Sequence, residues 1–272
     1  MPELPEVETT LRGIEPFILN KKISSVVIRQ SSLRWTVPTK LIQKKLLGRA
    51  FSNITRRGKY LLLESCNEHL IIHLGMSGSL RIAKEEDLKK HDHIDVCFVD
   101  GTILRYCDPR RFGCFLWTKD VETHFLLKDL GPEPLGNYFS GDYLFHNSRK
   151  RKVPIKNFIM NSKVVVGVGN IYATEALFAA AIRPSSKAGK VPRKKYDLLA
   201  KEIVTILRRS IKDGGTTLRD FVSGNNTPGY FKQSLKVYGR EGKECYECQT
   251  IIKGQRIGQR ASAYCPLCQS SF

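Results

Sequence analysis

Four cysteines near the end of the chain have the spacing of a metal site. Cys245 and Cys248 are separated by two residues, as are Cys265 and Cys268, and residues 249–264 lie between the pairs. Two such pairs at the ends of a hairpin offer four thiolates to a tetrahedral zinc ion. The alternatives, two disulfides or four free thiols, fit poorly with a chain that we expect to be cytosolic. Because four thiolates leave no position open for water, the spacing predicts one structural zinc and no catalytic metal.

The amino terminus carries a second group with distinctive chemistry. The chain begins Met1-Pro2-Glu3, and removal of Met1 would expose the secondary amine of Pro2. An α-amino group has a pKa near ~8, so a fraction is neutral at physiological pH and able to attack an aldehyde-like carbon. The iminium that forms is an electron sink, and the neighbouring Glu3 carboxylate is suited to moving protons. Proline after methionine is common, so this pair alone does not define an enzyme.

The charge of the chain narrows the class of partner. Lys and Arg total 45 against 26 Asp and Glu, which gives a formal net charge of +19. Such a balance indicates a polyanion, with nucleic acid as the first candidate and an anionic membrane as the second. No basic amphipathic anchor, lipidation motif or apolar run of spanning length supports the membrane. The first 20 residues lack the apolar stretch of a signal peptide, so we expect a cytosolic protein.

The elements that must position these groups change in type along the chain. Pro5 begins a predicted amphipathic helix over 5–18, in which Val7, Leu11, Ile14 and Ile18 recur at helical spacing. One helix followed by several short strands predicts a sandwich or barrel. The predicted strands are 23–28, 59–64, 69–74, 94–99 and 102–106.

Beyond residues 131–136 (GPEPLG), the pattern becomes helical. We predict helices over 170–182 and over 196–212, the second ending before a glycine C-cap at 214–215. Thr217 and Asp220 fit a capping box for one more short helix. The four remaining cysteines are interpreted as small buried apolar residues in strands; they are Cys66, Cys97, Cys107 and Cys114.

Motifs along nearly the whole chain resemble those of one known family, formamidopyrimidine-DNA glycosylase, which is also called 8-oxoguanine DNA glycosylase. The motifs keep the same order in the chain, and the cysteine pairs accompany them. They are MPELPEVE (1–8), RGKYLLLE (57–64), HLGMSGSL (73–80), HDH (91–93), DPRRFG (108–113), VGVGNIYATE (166–175), PGYF (228–231), VYGR (237–240) and QRA (259–261).

The resemblance implies an α+β protein with three parts. Residues 1–133 are expected to form a catalytic β-sandwich carrying the amphipathic helix. Residues 134–235 are expected to form a helix–two-turn–helix DNA-binding domain, and 236–272 a zinc finger. The implied partner is damaged double-stranded DNA, with the damaged nucleotide flipped out of the helix. We expect a monomer that acts in the cytoplasm, at the nucleoid of a bacterium, without a membrane.

The resemblance also implies how catalysis is shared among residues. Pro2 is the nucleophile that attacks C1′ of the damaged nucleotide, and Glu3 transfers protons. The iminium acidifies the C2′ protons, so elimination cuts the strand on the 3′ side and then on the 5′ side. Lys59 matches a second proton donor, and Arg260 belongs to the same catalytic group and also resembles a DNA contact. The alternative for Lys59 is one more exposed lysine on a basic strand.

Further positions resemble the DNA contacts of the family. Met76, Arg110 and Phe112 match the side chains inserted where the base has left, although Met76 and Phe112 are equally typical of a core. His91, Arg151 and Asn170 match further DNA contacts. Their alternatives are a surface histidine, a solvated basic loop and a helix N-cap, respectively. Residues 216–230 are expected to close over the flipped base.

Two other functions remain open on the sequence. The first is the related endonuclease that removes oxidised pyrimidines, which typically has Gly in place of Leu4 and lacks the Met76 and Arg110/Phe112 pattern. The second is a non-catalytic, zinc-dependent DNA-binding module. It explains the charge and the cysteines but leaves the Pro2–Glu3 pair without a reason.

Overall fold

The computed structural model describes residues 2–215 and 234–272 of the chain. These residues divide into two units, one of 2–128 with 213–215 and one of 129–212 with 234–272. The predicted loop over 216–230 and the predicted capping box of Thr217 and Asp220 lie outside the described residues. Within the described ranges, no helix combines the length and apolar character needed to cross a membrane.

The first unit is a β-sandwich with a helix at its start, as the sequence predicted. Helix α1 covers Leu4–Ile18, and a short helix α2 covers Thr39–Leu46. One antiparallel sheet has the order β2-β3-β4-β8, with strands Asn53–Arg57, Tyr60–Ser65, Glu68–His73 and Cys114–Thr118. The other has the order β1-β6-β7-β5, with strands Ile23–Ile28, Asp92–Phe98, Ile103–Cys107 and Ser79–Ala83.

Alternating side chains explain why the two sheets pack face to face. Leu61 and Leu63 of β3 share one core with Val96 of β6 and Leu104 of β7, because residues two apart in a strand face the same side. The predicted apolar stripe of α1 is buried and packs on β2, β3 and β5. The helix begins one residue earlier than predicted, so Pro5 occupies its second position.

The second unit is helical and ends in a hairpin. Its helices are α3 (Gly141–Ser148), α4 (Ile155–Ile159), α5 (Asn170–Ala179) and α6 (Arg193–Lys212). Helix α6 packs against α3 and α5. The hairpin consists of β9 (Lys253–Ile257) and β10 (Arg260–Tyr264), which lie between the two cysteine pairs. This arrangement confirms the predicted helical region with a four-cysteine hairpin.

The interpretation of the scattered cysteines was only partly right. Cys114 is buried, and Cys97 and Cys107 are half-buried. Cys66 is exposed, because it lies in the tight turn between β3 and β4 with φ 53° rather than in a strand.

Candidate active site and metal centre

The start of α1 fixes the predicted nucleophile and its carboxylate. Pro2 is buried, and Glu3 is only 2% exposed at the N-cap position of the helix. The Glu3 backbone N–H donates to Glu6 Oε2 at 2.8 Å, as in a capping box. Glu6 thus satisfies one of the free N–H groups at the helix start. The Glu3 side chain therefore extends from a backbone that is held in place.

A tight turn between β2 and β3 carries Lys59. Gly58 takes φ 59° at the first position of this two-residue loop, the position at which a type II′ turn requires glycine. Arg56 connects the turn to α1, because its guanidinium donates to the Gly58 carbonyl at 3.0 Å and to Glu8 Oε2 at 2.9 Å. Burial raises the pKa of Glu8, but the pairing with Arg56 and Arg12 outweighs it, so this pKa is lowered overall.

The environment of Lys59 includes a half-buried histidine. His73 lies at the end of β4, opposite Tyr60, and the two ring centroids are 4.8 Å apart. Burial, together with the positive charges of Lys59 and Arg34, lowers the pKa of His73 to about 4. The imidazole is therefore neutral at physiological pH. It accepts a hydrogen bond from the Gly75 N–H at 2.9 Å, which fixes the start of the next turn.

Two loops at one edge of the sandwich carry the predicted insertion residues. We call residues 73–78 the methionine turn and residues 108–113 the insertion loop. They touch at Gly75, where an added Cβ would lie 2.6 Å from the Phe112 carbonyl carbon and 2.6 Å from the Gly113 nitrogen. Met76 is 38% exposed and Phe112 is 43% exposed, so neither belongs to the core. The alternative that these two residues are core residues is therefore wrong.

The insertion loop is held at its base and exposed at its tip. Asp108 is fully buried, and its Oδ2 accepts hydrogen bonds from the Gly113 N–H at 2.8 Å and the Tyr106 hydroxyl at 3.1 Å. At the exposed tip, the Arg110 guanidinium carbon lies 4.9 Å from the centre of the Phe112 ring. This cation–π contact holds the Arg110 guanidinium over the Phe112 ring, so the two side chains are already close together.

His91 lies beside the same loop. Its carbonyl oxygen accepts a hydrogen bond from the Asp108 N–H at 3.1 Å, and its half-buried ring packs edge-on against His93. The Asp108 carbonyl in turn accepts from His93 Nε2 at 2.8 Å. His91 and the two loops therefore form a single edge of the first unit.

The predicted DNA contacts of the second unit lie on three different elements. Asn170 is the first residue of α5, and the N-cap is Gly169, so the interpretation of Asn170 as the cap is wrong. Within the described residues, the enclosed Oδ1 of Asn170 accepts no hydrogen bond. Arg151 is exposed just after α3, and Arg260 is exposed at the start of β10. Among the residues that the structure describes, no hydrogen bond joins Arg151 to Asn170.

The four predicted zinc ligands converge. All are free thiols, and their sulfur atoms lie within 4.8 Å of one another. Sγ of Cys248 lies 3.4 Å from those of Cys265 and Cys268, and the Cys245–Cys268 separation is 3.9 Å. Ligands about 2.3 Å from a tetrahedral ion are roughly 3.8 Å apart, so this cluster fits a metal ion of zinc size. Hydrogen bonds from Thr250 lower the pKa of Cys248 to about 6, whereas burial raises the pKa values of Cys265 and Cys268.

Buried side chains tie the cysteine module to the helices. Lys156 of α4 is 1% exposed, and its Nζ donates to Ser262 Oγ at 2.6 Å and to the Ala261 carbonyl at 3.2 Å, directly beside Arg260. Glu175 of α5 accepts from three consecutive backbone N–H groups, those of residues 236–238. Sequence reasoning assigned no role to either residue. For Glu175, the available signal was a charged residue among the apolar residues of the helix predicted over 170–182.

Comparison with known proteins agrees with this arrangement. The pattern of the formamidopyrimidine-DNA glycosylase N-terminal domain matches residues 1–115, and that of the formamidopyrimidine-DNA glycosylase H2TH domain matches 130–222. The chain belongs to the formamidopyrimidine-DNA glycosylase family. The glycosylase of Cellvibrio japonicus is 56% identical over 271 residues, which cover 99% of this chain and 100% of the relative. That of Saccharophagus degradans is 54% identical over the same length, with the same coverage of both chains. Membership makes the chain a DNA glycosylase of DNA repair.

Solved structures of the family share the whole fold. Lactococcus lactis Fpg in complex with DNA containing an abasic site superposes with a TM-score of 0.90 at 33% identity, covering 99% of this chain and 100% of that one. MutM in complex with DNA containing carbocyclic 8-oxo-G gives a TM-score of 0.88 at 34% identity, again covering 99% and 100% of the two chains. The α+β fold expected from the sequence is therefore confirmed.

Proposed function

We propose that this chain excises oxidised purines, namely 8-oxoguanine and formamidopyrimidines, from duplex DNA and then cleaves the strand. The observation that carries the proposal is the contact between the methionine turn and the insertion loop. This contact puts Met76, Arg110 and Phe112 on one exposed edge. A flipped base leaves an unstacked gap that Met and Phe fill, while Arg hydrogen-bonds the orphaned base. Solved relatives bound to DNA containing Fapy-dG and 8-oxo-G support this substrate class.

In the proposed mechanism, the Pro2 amine attacks C1′ and the damaged base leaves with the proton that the amine loses. The C1′–O4′ bond of the sugar ring then breaks, O4′ takes a proton, and an iminium forms between Pro2 and C1′. The resulting iminium withdraws electrons from the sugar, so a C2′ proton is lost and the C3′–O bond breaks. A second elimination breaks the C5′–O bond, and water then releases the sugar fragment from Pro2. Glu3, next to the amine on a backbone fixed by Glu6, transfers the protons. Lys59, on the rigid turn between β2 and β3, acts as a second proton donor. Arg260 belongs to the catalytic residues and binds a phosphate of the DNA.

The cysteine cluster is proposed to hold one zinc ion with a structural role. The ligands would be Cys245, Cys248, Cys265 and Cys268, which leave no open position. The apolar core around them contains few other residues, chiefly Val237, Ile252 and Ala263 with Phe178 of α5. A small module of this kind depends on its metal for folding. No step of the reaction requires the ion.

We also propose further DNA contacts, a division into three domains and a place of action in the cell. His91, Arg151 and Asn170 contact the DNA, and Asn170 does so from the half-buried first position of α5, where a helix N-terminus suits a phosphate. The functional division is a catalytic domain over 1–133, a DNA-binding domain over 134–235 and a zinc finger over 236–272. The protein acts as a monomer at the nucleoid of the bacterial cytoplasm. The net charge of +19 supports a DNA partner.

A product assay tests the substrate class. Duplexes carrying 8-oxoguanine, a formamidopyrimidine or thymine glycol are incubated with excess enzyme, and released bases and strand breaks are quantified. We expect the two purine lesions to be removed faster than thymine glycol. Glu3→Gln should bind the same duplexes without processing them. Faster removal of thymine glycol would assign the chain to pyrimidine repair, and binding without any excision would favour the non-catalytic alternative.

A further inference from the structure

We propose that Asp108, acting with the Tyr106 hydroxyl, is a positioning residue that sets the DNA-inserting conformation of the insertion loop. The inference rests on the proposed function, because it assumes that Arg110 and Phe112 enter the DNA. Asp108 itself is fully buried and does not reach the substrate. Its effect on recognition passes through the loop that it closes.

A single carboxylate group joins the two ends of this loop. Asp108 is its first residue, and Oδ2 of Asp108 accepts from the N–H of Gly113, its last residue, at 2.8 Å. The Asp108 backbone is fixed independently, through the His91 carbonyl on one side and His93 Nε2 on the other. The base of the loop is therefore rigid, and a hydrogen bond to a carboxylate is stronger than one between neutral groups.

The tip has few restraints of its own. Within the described chain, the one hydrogen bond made by residues 109–112 runs from the Arg111 N–H to the Asp108 carbonyl at 3.1 Å. Arg111 takes φ 55°, a left-handed conformation that is unfavourable for a non-glycine residue. Such a conformation persists only where the surroundings impose it. The base must therefore impose it, since the tip is exposed.

The Tyr106 hydroxyl couples the insertion loop to the methionine turn. Its oxygen lies 3.1 Å from Asp108 Oδ2 and 3.3 Å from the His73 carbonyl oxygen, so one hydrogen is shared between two acceptors. A Cβ on Gly113 would collide with both this hydroxyl and the His73 carbonyl. Glycine is thus required for the close approach, and removal of Asp108 should displace both insertion elements together.

A double-mutant cycle separates positioning from general stability. Asp108→Ala, Arg110→Ala and the double variant are compared for single-turnover excision of 8-oxoguanine opposite cytosine and opposite adenine. We expect Asp108→Ala to reduce the cytosine-to-adenine rate ratio by roughly tenfold, the effect of one specific base contact. The double variant should be no worse than Arg110→Ala, because both changes remove the same interaction. Asp120→Ala is the matched control, since this exposed aspartate also accepts from a backbone N–H and a hydroxyl.

Each outcome decides the question. An unchanged ratio in a folded Asp108→Ala variant, or effects that multiply in the double variant, overturns the proposal. If Asp108→Ala does not fold, Tyr106→Phe replaces it in the cycle and must show the same loss of ratio. If Arg110→Ala has no effect, the proposed reading of the orphaned base fails instead. In that case the fluorescence of 2-aminopurine opposite the lesion still tests the positioning, because Asp108→Ala should change its stacking as Phe112→Ala does.

Discussion

Replacing Arg105 with methionine should strongly destabilise the β-sandwich that carries the two loops. Arg105 of β7 is 1% exposed and Asp95 of β6 is 2% exposed. Nε and Nη2 of Arg105 donate to the two Asp95 oxygens at 2.8 and 2.9 Å, and Arg29 donates to Oδ2 at 2.6 Å. Burial raises the pKa of Asp95, but the two arginines outweigh it, so this pKa is lowered overall. Methionine would leave a buried carboxylate with one arginine.

The structure sets the size of this effect. Removing one partner of a buried ion pair costs about 3–5 kcal/mol. The lower end applies because Arg29, whose side chain is 32% exposed, still partly neutralises Asp95. A loss of ~3 kcal/mol shifts the unfolding equilibrium by roughly two orders of magnitude. With a urea m-value of about 2 kcal/mol/M, the midpoint should fall by about 1.5 M.

Tryptophan fluorescence during urea unfolding measures this change selectively. Both tryptophans of the chain, Trp35 and Trp117, belong to the first unit. Arg12→Met is the control, because Arg12 pairs with Glu8 but its side chain is 62% exposed, so the loss should stay under about 1 kcal/mol. Because its folded pKa is lowered below 3.8, Asp95 stabilises the wild type above about pH 4, and this contribution disappears as pH falls through the folded pKa. An Arg105→Met midpoint equal to that of Arg12→Met would refute the reasoning.

Three further predictions concern the metal, base recognition and pH. Metal analysis should find about one zinc per chain. Cys248→Ser or Cys265→Ser should abolish DNA binding without moving the urea midpoint that tryptophan fluorescence reports. Full activity of the metal-free protein would contradict this prediction. Arg110→Ala should reduce the preference for excising 8-oxoguanine opposite cytosine over adenine by roughly 1–3 kcal/mol. An unchanged preference would show that Arg110 has no part in recognition. His73, with its pKa lowered to about 4, should remain neutral at pH 5 by NMR. Because the unfolded chain binds this proton at about pH 6.5, stability should decrease as pH falls from 6.5 towards 4, and His73→Gln should remove that decrease.

Local patterns predicted the elements and the metal cluster. The apolar spacing of Val7, Leu11, Ile14 and Ile18 located α1 to within one residue, because a helix with one buried face repeats every 3.6 residues. The cysteine spacing likewise anticipated a cluster that closes at the ends of a two-stranded hairpin. Strands β2 and β5 were not predicted, because each is only five residues long and polar residues interrupt its apolar pattern. Strand β8 was also missed, although four of its five residues are apolar.

The contacts that hold the site could not be predicted from local patterns. The hydrogen bonds of Asp108 to Tyr106 and Gly113 depend on how the chain folds back between strands, and no periodicity encodes them. The same holds for Lys156, whose partner Ser262 is 106 residues away. Asn170 looked like a helix cap from its residue type, yet the helix begins at Asn170 and the cap is Gly169. Residue type favours a cap but does not fix which of two neighbours takes that position.

The nucleophile is the central claim, and trapping with borohydride tests it most directly. An iminium between Pro2 and C1′ is reduced by borohydride to a stable amine, so borohydride added during turnover should cross-link the enzyme to 8-oxoguanine DNA through its N-terminal peptide. A variant that retains Met1 or carries a tag before Pro2 should bind the DNA, form no cross-link and excise no base. Normal excision by the blocked chain would contradict the mechanism, and a cross-link that maps to Lys59 would move the nucleophile to that residue.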